Sequence, residues 1–175
     1  MQKLKLDELK RISVSEFKNA PKTPIVLVLD NVRSMSNVGS MFRTADAFRI
    51  QHLYLCGITA TPPHREIYKT ALGATESMAW TYTTTTKEAV LNLRTQGYKI
   101  IAVEQAHGSV YLNNFEVEAN AQYAFVMGNE VDGVSTEIME LVDACVEIPQ
   151  FGSKHSFNVS ISAGIVLWHV MHKLL

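Results

Sequence analysis

Three stretches of this chain place glycines beside amide, hydroxyl, carboxylate and guanidinium side chains, next to apolar runs that are typical of buried strands. They cover residues 37–45, 127–133 and 148–164. Gly128, Gly133 and Gly152 permit a close approach of the backbone to a ligand, while Ser156 and Asn158 can either cap the next helix or hold a ligand. Each residue by itself is explained by a turn or a helix cap. Their clustering at predicted strand ends indicates a ligand-binding site.

Apolar runs alternate with amphipathic segments along the chain, which predicts an α/β fold with a mainly parallel sheet and helices on both faces. The predicted strands span residues 25–29, 52–56, 78–83, 98–103, 123–127 and 144–148. A helix is expected over residues 159–170. Ligands of open parallel sheets bind beyond the carboxyl ends of the strands. We therefore expect the loops at these ends to converge on one crevice.

A polar loop and an amphipathic helix follow the first predicted strand. Asn37 is the expected N-cap of this helix. Its apolar face consists of Val38, Met41, Phe42, Ala45 and Phe48. On a helix of 3.6 residues per turn, Arg43 falls away from that face. Arg43 is therefore either an ordinary solvated arginine or a side chain that lies over the crevice.

Basic side chains near the same sheet edge could form a positive patch for RNA, although ordinary surface charge explains them equally well. They are Arg33, Arg43, His64, Arg65 and Lys69. The last three belong to a predicted helix that is expected to start at the prolines of residues 62–63. The formal net charge of the chain is −1, so that any surface for RNA must be a local patch, completed in one alternative by a second subunit.

The length of 175 residues fits one domain, residues 23–175, preceded by a short helical arm, residues 1–22. In the arm, Ser13 and Glu16 have the spacing of a capping box. The chain has neither an apolar run of membrane-spanning length nor the apolar core of a signal peptide, which predicts a soluble, cytoplasmic protein without a membrane partner. Cys56 and Cys145 lie in apolar runs, and no disulfide is expected.

Several common cofactor sites are not supported by the sequence. The chain has no G-x-G-x-x-G after its first predicted strand and no G-x-x-x-x-G-K-[ST], which disfavours nicotinamide and nucleoside-triphosphate sites. His169 and His172 are about one helical turn apart, but no third ligand follows at a sensible spacing. No bound metal is expected.

The three stretches contain motifs that are best considered together. They read Asn37-x-Gly39-x-x-x-Arg43-Thr44-Ala45, Met127-Gly128-Asn129-Glu130-x-x-Gly133 and Ile148-Pro149-x-x-Gly152-x-x-x-Ser156-Phe157-Asn158-Val159-Ser160-x-x-x-Gly164. In this order and at these separations, they resemble the three motifs of the TrmH (SpoU) branch of the SPOUT RNA methyltransferases. The resemblance covers about residues 25–170, and residues 1–22 match no recognition domain.

This resemblance implies a fold and an activity. The implied fold has a deep trefoil knot in its C-terminal part, with the segment after Ile148 threaded through a loop, although knots are very rare in proteins. The implied partners are S-adenosylmethionine as cofactor, RNA as substrate and a second copy of the chain in a homodimer. The implied reaction is the transfer of a methyl group to a ribose 2′-hydroxyl of tRNA or rRNA.

The resemblance also assigns site residues. The implied catalytic residues are Arg43, Asn37, Glu130, Ser156 and Asn158. The implied cofactor-binding residues are Met127, Gly128, Asn129, Glu130, Ile148, Gln150, Ser156, Phe157 and Asn158.

Three of these roles remain open at the level of sequence. Arg43 stands at the position of the residue that is proposed as the base in the family. A guanidinium ordinarily stays charged, however, which favours a role in binding a phosphate and in stabilising developing alkoxide charge. Glu130 is either a proton acceptor or an acid that bonds to loop amides. Asn37 either holds Arg43 or caps its helix.

The enzyme hypothesis has two competitors. A non-catalytic RNA-binding or assembly factor could retain the cofactor fold, and the modest net charge favours it, whereas the intact Arg43 and Asn158 favour the enzyme. An unrelated nucleotide-binding oxidoreductase has only the general α/β pattern in its favour. The sequence does not identify the RNA or the nucleotide.

Overall fold

A computed structural model describes residues 1–174, with the side chains of residues 6 and 7 outside this description. Its seven-stranded sheet has the order β3-β2-β1-β6-β4-β7-β5, and all the strand pairs are parallel. The strands are β1 (Thr23–Asp30), β2 (Ile50–Cys56), β3 (Trp80–Thr83), β4 (Tyr98–Val103), β5 (Val110–Tyr111), β6 (Gln122–Met127) and β7 (Ala144–Glu147). The predicted α/β fold with a parallel sheet is confirmed.

The aliphatic run of β1 is explained by burial on both sides of the sheet. Successive side chains of a strand point to opposite faces. Ile25, Leu27 and Leu29 pack in one apolar cluster with side chains of α2 (Met35–Ala47) and α7 (Val159–Leu174). Val26 and Val28 pack in a second cluster with side chains of α5 (Thr86–Thr95). Helices therefore cover both faces, as a buried parallel sheet requires.

The remaining helices are short. They are α1 (Val14–Asn19), α3 (Arg65–Ala71), α4 (Ala74–Ser77) and α6 (Thr136–Met139), together with 3-10 helices at Leu6–Leu9 and Leu112–Asn114. The capping box of Ser13 and Glu16 is confirmed at the start of α1. Helix α1 lies in the expected arm and buries Phe17 in the core.

Two predicted helix starts are wrong. Ser34, not Asn37, caps α2, since the Ser34 hydroxyl accepts a hydrogen bond from the backbone N–H of Asn37. Helix α3 begins at Arg65 rather than at the prolines, because the His64 ring accepts a hydrogen bond from the N–H of Glu66 and provides the cap. In both cases, the observed cap has a side-chain hydrogen-bond acceptor and is close in sequence to the residue that was expected to start the helix.

The short edge strand β5 was not predicted, because two residues are too few to show a periodicity. It pairs with β7, through Val110 with Val146 and Tyr111 with Glu147. Strand β7 thus lies between β4 and β5, although it follows both in sequence. The chain that follows β7 therefore leaves the sheet between β4 and β5, two strands that come earlier in the sequence.

Helices α2 and α3 approach so closely that only glycine fits at position 39. A Cβ atom there would lie 2.1 Å from the Thr70 hydroxyl and 2.3 Å from the Ile67 carbonyl oxygen. The Thr70 hydroxyl also donates to the Ser36 carbonyl at 3.0 Å. This contact fixes the first turns of α2 against α3.

We expect Gly39→Ala to destabilise the protein by about 1–3 kcal/mol, because backbone atoms of α3 must move to admit the methyl group. The matched control is Gly152→Ala, where the new Cβ would meet nothing within 4 Å. The control should be neutral or stabilising by up to ~1 kcal/mol, since alanine restricts the unfolded chain more than glycine does. Urea denaturation measures both, and equal stabilities for the two variants would contradict the close packing.

Candidate active site

The carboxyl ends of three neighbouring strands, β6, β4 and β7, border a cavity of about 380 Å³. It is lined by Val103, Glu104, Gln105, Met127, Gly128, Asn129, Glu130, Val131, Gly133, Ile148, Gln150, Ser156, Phe157, Asn158, Val159 and Ser162. Every residue expected to bind the cofactor is in this set. The predicted convergence of loops on one crevice is therefore present.

The loop after β6 is folded tightly on itself. A Cβ on Gly128 would lie 2.2 Å from the Gly133 carbonyl carbon, so the close approach expected here requires glycine. The side-chain oxygen of Asn129 accepts hydrogen bonds from the N–H groups of Val131 and Asp132, at 2.8 and 3.2 Å. Its amide nitrogen donates to the carbonyl of Asn31, at 2.7 Å. Asn129 therefore shapes this loop and ties it to the end of β1.

A chain of hydrogen bonds joins the three motifs. The Asn37 side-chain nitrogen donates to the Glu130 carboxylate at 2.9 Å, and the Asn37 side-chain oxygen accepts from the Asn158 amide at 3.0 Å. Asn37 is buried, with 8% of its surface exposed. Its side chain therefore connects the loop after β6 to the start of α7, a role that replaces the expected one as N-cap.

Glu130 holds the turn between β1 and α2. Its two carboxylate oxygens accept hydrogen bonds from the backbone N–H groups of Arg33 and Ser34, both at 2.9 Å. Partial burial acts to raise the pKa of Glu130, but these two bonds, together with the bond from Asn37, outweigh it and hold the pKa below its ordinary value. Of the two alternatives, the geometry corresponds to the acid that bonds to loop amides.

The loop that leads from β7 to α7 is the most open part of the site. Residues 151–158 are all exposed. The Asn158 side-chain oxygen accepts from the N–H groups of Ser160 and Ile161, at 2.9 and 3.4 Å, and so caps α7 while its amide binds Asn37. A Cβ at Gly152 would meet no atom of the described chain within 4 Å, and the close approach of its backbone to a ligand stays a prediction.

Arg43 is exposed on α2 and is not among the residues that line the cavity. It lies six residues after Asn37, about 9 Å further along the helix axis. The fold of this chain does not place Arg43 in the cavity wall, and its catalytic role stays a prediction.

The other basic candidates lie in the turn before α2 and on α3. The Arg33 side chain is exposed, while its backbone N–H binds Glu130; Arg65 and Lys69 are exposed on α3, which packs against α2. His64 is half-buried at the start of α3. Across residues 1–174, Arg33, Arg43, Arg65 and Lys69 take part in no ion pair. Their positive charges are therefore available to a ligand.

The comparison with known protein families agrees with this geometry. A sequence model of the SpoU rRNA Methylase family matches residues 24–168, which include all three motifs. The chain belongs to this family. The family resemblance seen in the sequence is thereby confirmed.

Relatives with assigned activities match most of the chain. It is 33% identical over 152 residues to a 23S rRNA (guanosine-2′-O-)-methyltransferase of Neisseria meningitidis, covering 86% of this chain and 59% of that protein. It is 31% identical over 155 residues to a tRNA (guanosine(18)-2′-O)-methyltransferase of Aquifex aeolicus, covering 85% of this chain and 69% of that protein. The chain thus spans roughly three-fifths to two-thirds of the length of these family members.

A solved family structure has the same fold. The chain superposes with a TM-score of 0.82 on an AdoMet-bound rRNA methyltransferase of Sinorhizobium meliloti. The sequences are 27% identical, and the match covers 91% of this chain and 60% of that one. The parallel sheet and its helices are therefore those of a SpoU methyltransferase.

Sequence reasoning missed part of the cavity wall. Val103, Glu104 and Gln105 at the end of β4, and Val131 in the loop after β6, line the cavity but were not expected to. The rule that ligands bind beyond the carboxyl ends of parallel strands would have found the first three. They were missed because residues 104–120 show only a polar, irregular pattern.

Other features of the chain are outside the site. Cys56 and Cys145 are both free, and burial raises the pKa of the Cys56 thiol to about 11. No group of three or more potential metal ligands occurs among the described residues. Within residues 1–174, no helix combines the length and the apolar character needed to cross a membrane.

Glu130→Gln should destabilise the protein at neutral pH, because an amide has a single acceptor oxygen and its NH2 group would face one of the two backbone N–H donors. The folded pKa of Glu130 is below its ordinary value of 4.5, so its stabilising effect is present above pH 4.5 and is lost as the pH falls through the folded pKa. The difference in free energy of unfolding between the protein and this variant should therefore shrink below pH 4.5. Urea denaturation at a series of pH values measures it.

Glu116→Gln is the control for this experiment, since Glu116 is exposed and forms no side-chain hydrogen bond in the described part of the chain. We expect it to have no effect on stability at any of these pH values. A Glu130→Gln effect that stays constant down to pH 3 would contradict the assigned role of the carboxylate.

Proposed function

We propose that this chain is an S-adenosylmethionine-dependent methyltransferase that modifies a ribose 2′-hydroxyl of tRNA or rRNA. The observation that carries the proposal is the chain of hydrogen bonds from Glu130 through Asn37 to Asn158, which ties the helix of Arg43 to the cavity. The names of the two relatives and the AdoMet-bound family structure support the same activity.

The cavity is suited to S-adenosylmethionine. Its volume of about 380 Å³ is within the usual range for small-molecule sites. Met127, Ile148 and Phe157 offer apolar surface to the adenine ring, and the backbone near Gly128 and Gln150 offers hydrogen-bonding groups. When bound, the cofactor would supply an electrophilic methyl carbon on a sulfonium.

The residues of this chain would act mainly by positioning. The ribose oxygen must lie in line with the carbon–sulfur bond that breaks, and alignment of this kind can remove about 7–11 kcal/mol from a barrier. The cofactor would supply the methyl group with its carbon–sulfur bond as the bond to be broken, and the 2′-hydroxyl would lose its proton to an acceptor other than Glu130. The links of Asn37 to Glu130 and Asn158 keep the start of α2 fixed to the cofactor loops during this step.

Arg43 would bind the phosphate next to the reacting ribose and stabilise the developing alkoxide. A guanidinium offers N–H donors in a fixed fork that fits phosphate, and it remains charged. Glu130 is poorly suited to take the proton, because its oxygens already accept three hydrogen bonds and its lowered pKa makes it a weak base. In this proposal, the proton passes to another acceptor, such as water or the RNA phosphate.

The basic side chains along α2 and α3 would bind the RNA backbone. Lys and Arg bind phosphates irrespective of sequence and position the nucleic acid. Arg33, Arg65 and Lys69, with His64, would extend the surface that starts at Arg43. A local patch of this kind is compatible with a net charge of −1.

We also propose the deep trefoil knot that the family resemblance implies. Two observations support it: β7 lies between β4 and β5, and the segment after β7 contacts both Gln105 and Asn37. The chain would thread between the connection that follows β4 and the connection that follows β1. Residues 23–175 would form the methyltransferase domain and residues 1–22 its arm, and the cytoplasmic location remains a prediction.

A homodimer is the proposed assembly. Helix α7 carries an exposed apolar stripe, with Ile161 54% and Trp168 60% exposed and Gly164 between them. Residues spaced by three, four and seven positions share one helix face. A second copy of the chain would cover this stripe.

Arg43→Ala should reduce the rate of methyl transfer by about 10²–10³-fold, comparable to the loss of one oxyanion-stabilising donor elsewhere. Arg43→Lys should recover only part of the rate, since an ammonium lacks the planar fork. The control is Arg94→Ala, because Arg94 pairs with Asp143 near the start of β4, away from the cavity. The measurement is transfer from radiolabelled S-adenosylmethionine to total tRNA and rRNA from cells that lack this gene.

An unchanged rate in Arg43→Ala would refute the role of this residue. Cofactor binding by calorimetry without transfer to any of these RNAs would favour the non-catalytic RNA-binding factor instead. Absence of both would refute the proposed function as a whole.

Trp168→Lys should convert the proposed dimer to a monomer, because a buried ammonium in an apolar contact is strongly unfavourable. Light scattering should give twice the chain mass of 19.5 kDa for the unmodified protein and the single mass for the variant. Leu91→Lys, at an isolated exposed leucine of α5, is the control and should remain dimeric. A variant Trp168→Lys that stays dimeric would exclude this stripe as the interface.

A further inference from the structure

The loop of residues 151–157 borders the cavity but has little to hold it in place. All seven residues are exposed, and none belongs to a helix or strand. Within the described part of the chain, a single hydrogen bond reaches residues 150–157. It runs from the side-chain nitrogen of Gln105 to the backbone carbonyl of His155, at 2.6 Å.

The backbone around Gln105 is held in place by hydrogen bonds to neighbouring segments. The backbone N–H of Glu104 donates to the carbonyl of Val146, at 3.1 Å, which extends the pairing of β4 with β7. The Glu104 carboxylate accepts from the N–H of Val134 at 2.9 Å and from the N–H of Gln105 at 2.8 Å. The position of Gln105 is thus set by its neighbours, whereas its side chain extends to the open loop.

The hydrogen bond joins two parts of the cavity wall. Gln105 lines the cavity on the side of β4, and Ser156 and Phe157, next to His155, line it on the side of the loop. Any motion of the loop away from Gln105 would move these two side chains as well. The bond therefore controls how far one wall of the cavity can open.

We propose that Gln105 is a positioning residue that latches the loop of residues 151–157 beside the cofactor cavity. The latch fixes the cavity wall before the cofactor arrives, so that less ordering is required on binding. Only the choice of S-adenosylmethionine as the ligand rests on the proposed function. The latch itself is a property of the free protein.

Backbone 15N NMR relaxation in the protein without ligand tests the latch directly. In Gln105→Leu, which removes the N–H donor but keeps a similar volume, the order parameters of residues 151–157 should fall from about 0.8 to below about 0.6, with those of the sheet unchanged. Gln105→Glu, which offers no N–H donor to the carbonyl, should have the same effect on the loop. Gln105→Lys, which restores a donor with similar reach, should return the order parameters most of the way to those of the unmodified protein.

Two matched controls sharpen the experiment. His155→Ala should leave the order parameters of the loop unchanged, because the latch uses the backbone carbonyl and not the imidazole. Gln122→Leu, at an exposed glutamine at the start of β6, should also have no effect. Both variants should keep the affinity for S-adenosylmethionine.

The functional readout separates positioning from a general loss of structure. Loss of one hydrogen bond of this kind should weaken S-adenosylmethionine binding by about five- to tenfold in calorimetry. At saturating cofactor, kcat of Gln105→Leu should stay within about twofold, because the loop is then held by the ligand.

Three results would overturn the latch: unchanged loop order parameters in Gln105→Leu, lowered order parameters across the whole sheet, or weaker cofactor binding with an unchanged loop, which would indicate direct contact of Gln105 with the cofactor. If the unmodified protein bound no S-adenosylmethionine, the proposed function would fail, and the loop order parameters would still decide on the latch.

Discussion

The Asn37 side chain is the contact on which the site depends, because it joins parts of the chain that are far apart in sequence. It donates to Glu130 and accepts from Asn158, 93 and 121 residues further along. Glu130 in turn accepts from the N–H groups of the turn that starts α2. These groups satisfy one another in a partly buried place, where an unpaired amide or carboxylate would be unfavourable. The position of α2 is therefore tied to the position of both cofactor loops.

The parallel sheet makes this contact possible. Burial of β1 on both faces fixes its register and places its carboxyl end beside that of β6. The order β1-β6-β4-β7 then collects four loops at one edge. A buried carboxylate, Asp30, strengthens this edge, because it accepts from the N–H of Ser135 at 2.8 Å and from the side chains of Thr86 and Asn31. The loops can be polar and open because the strands beneath them are rigid.

The site thus combines a rigid side with an open one. Glycine at positions 39, 128 and 133 permits contacts too close for any other residue, which fixes α2 and the loop after β6. The loop of residues 151–157 lacks such contacts. Because of this division, one wall of the cavity can move while the residues joined to Asn37 stay in place.

The sequence by itself determined six of the seven strands, the two-sided burial, nine of the residues that line the cavity and the family. These features are encoded locally, in apolar runs, in glycine spacing and in three short motifs. Only the tertiary structure decided that Ser34 caps α2, that Asn37 bridges two loops, that Gly152 has no close neighbour and that Gln105 reaches His155. The physical reason is that a side-chain amide can bond equally well to its own helix or to a distant segment. The choice between them depends on which distant groups the fold brings within about 3 Å.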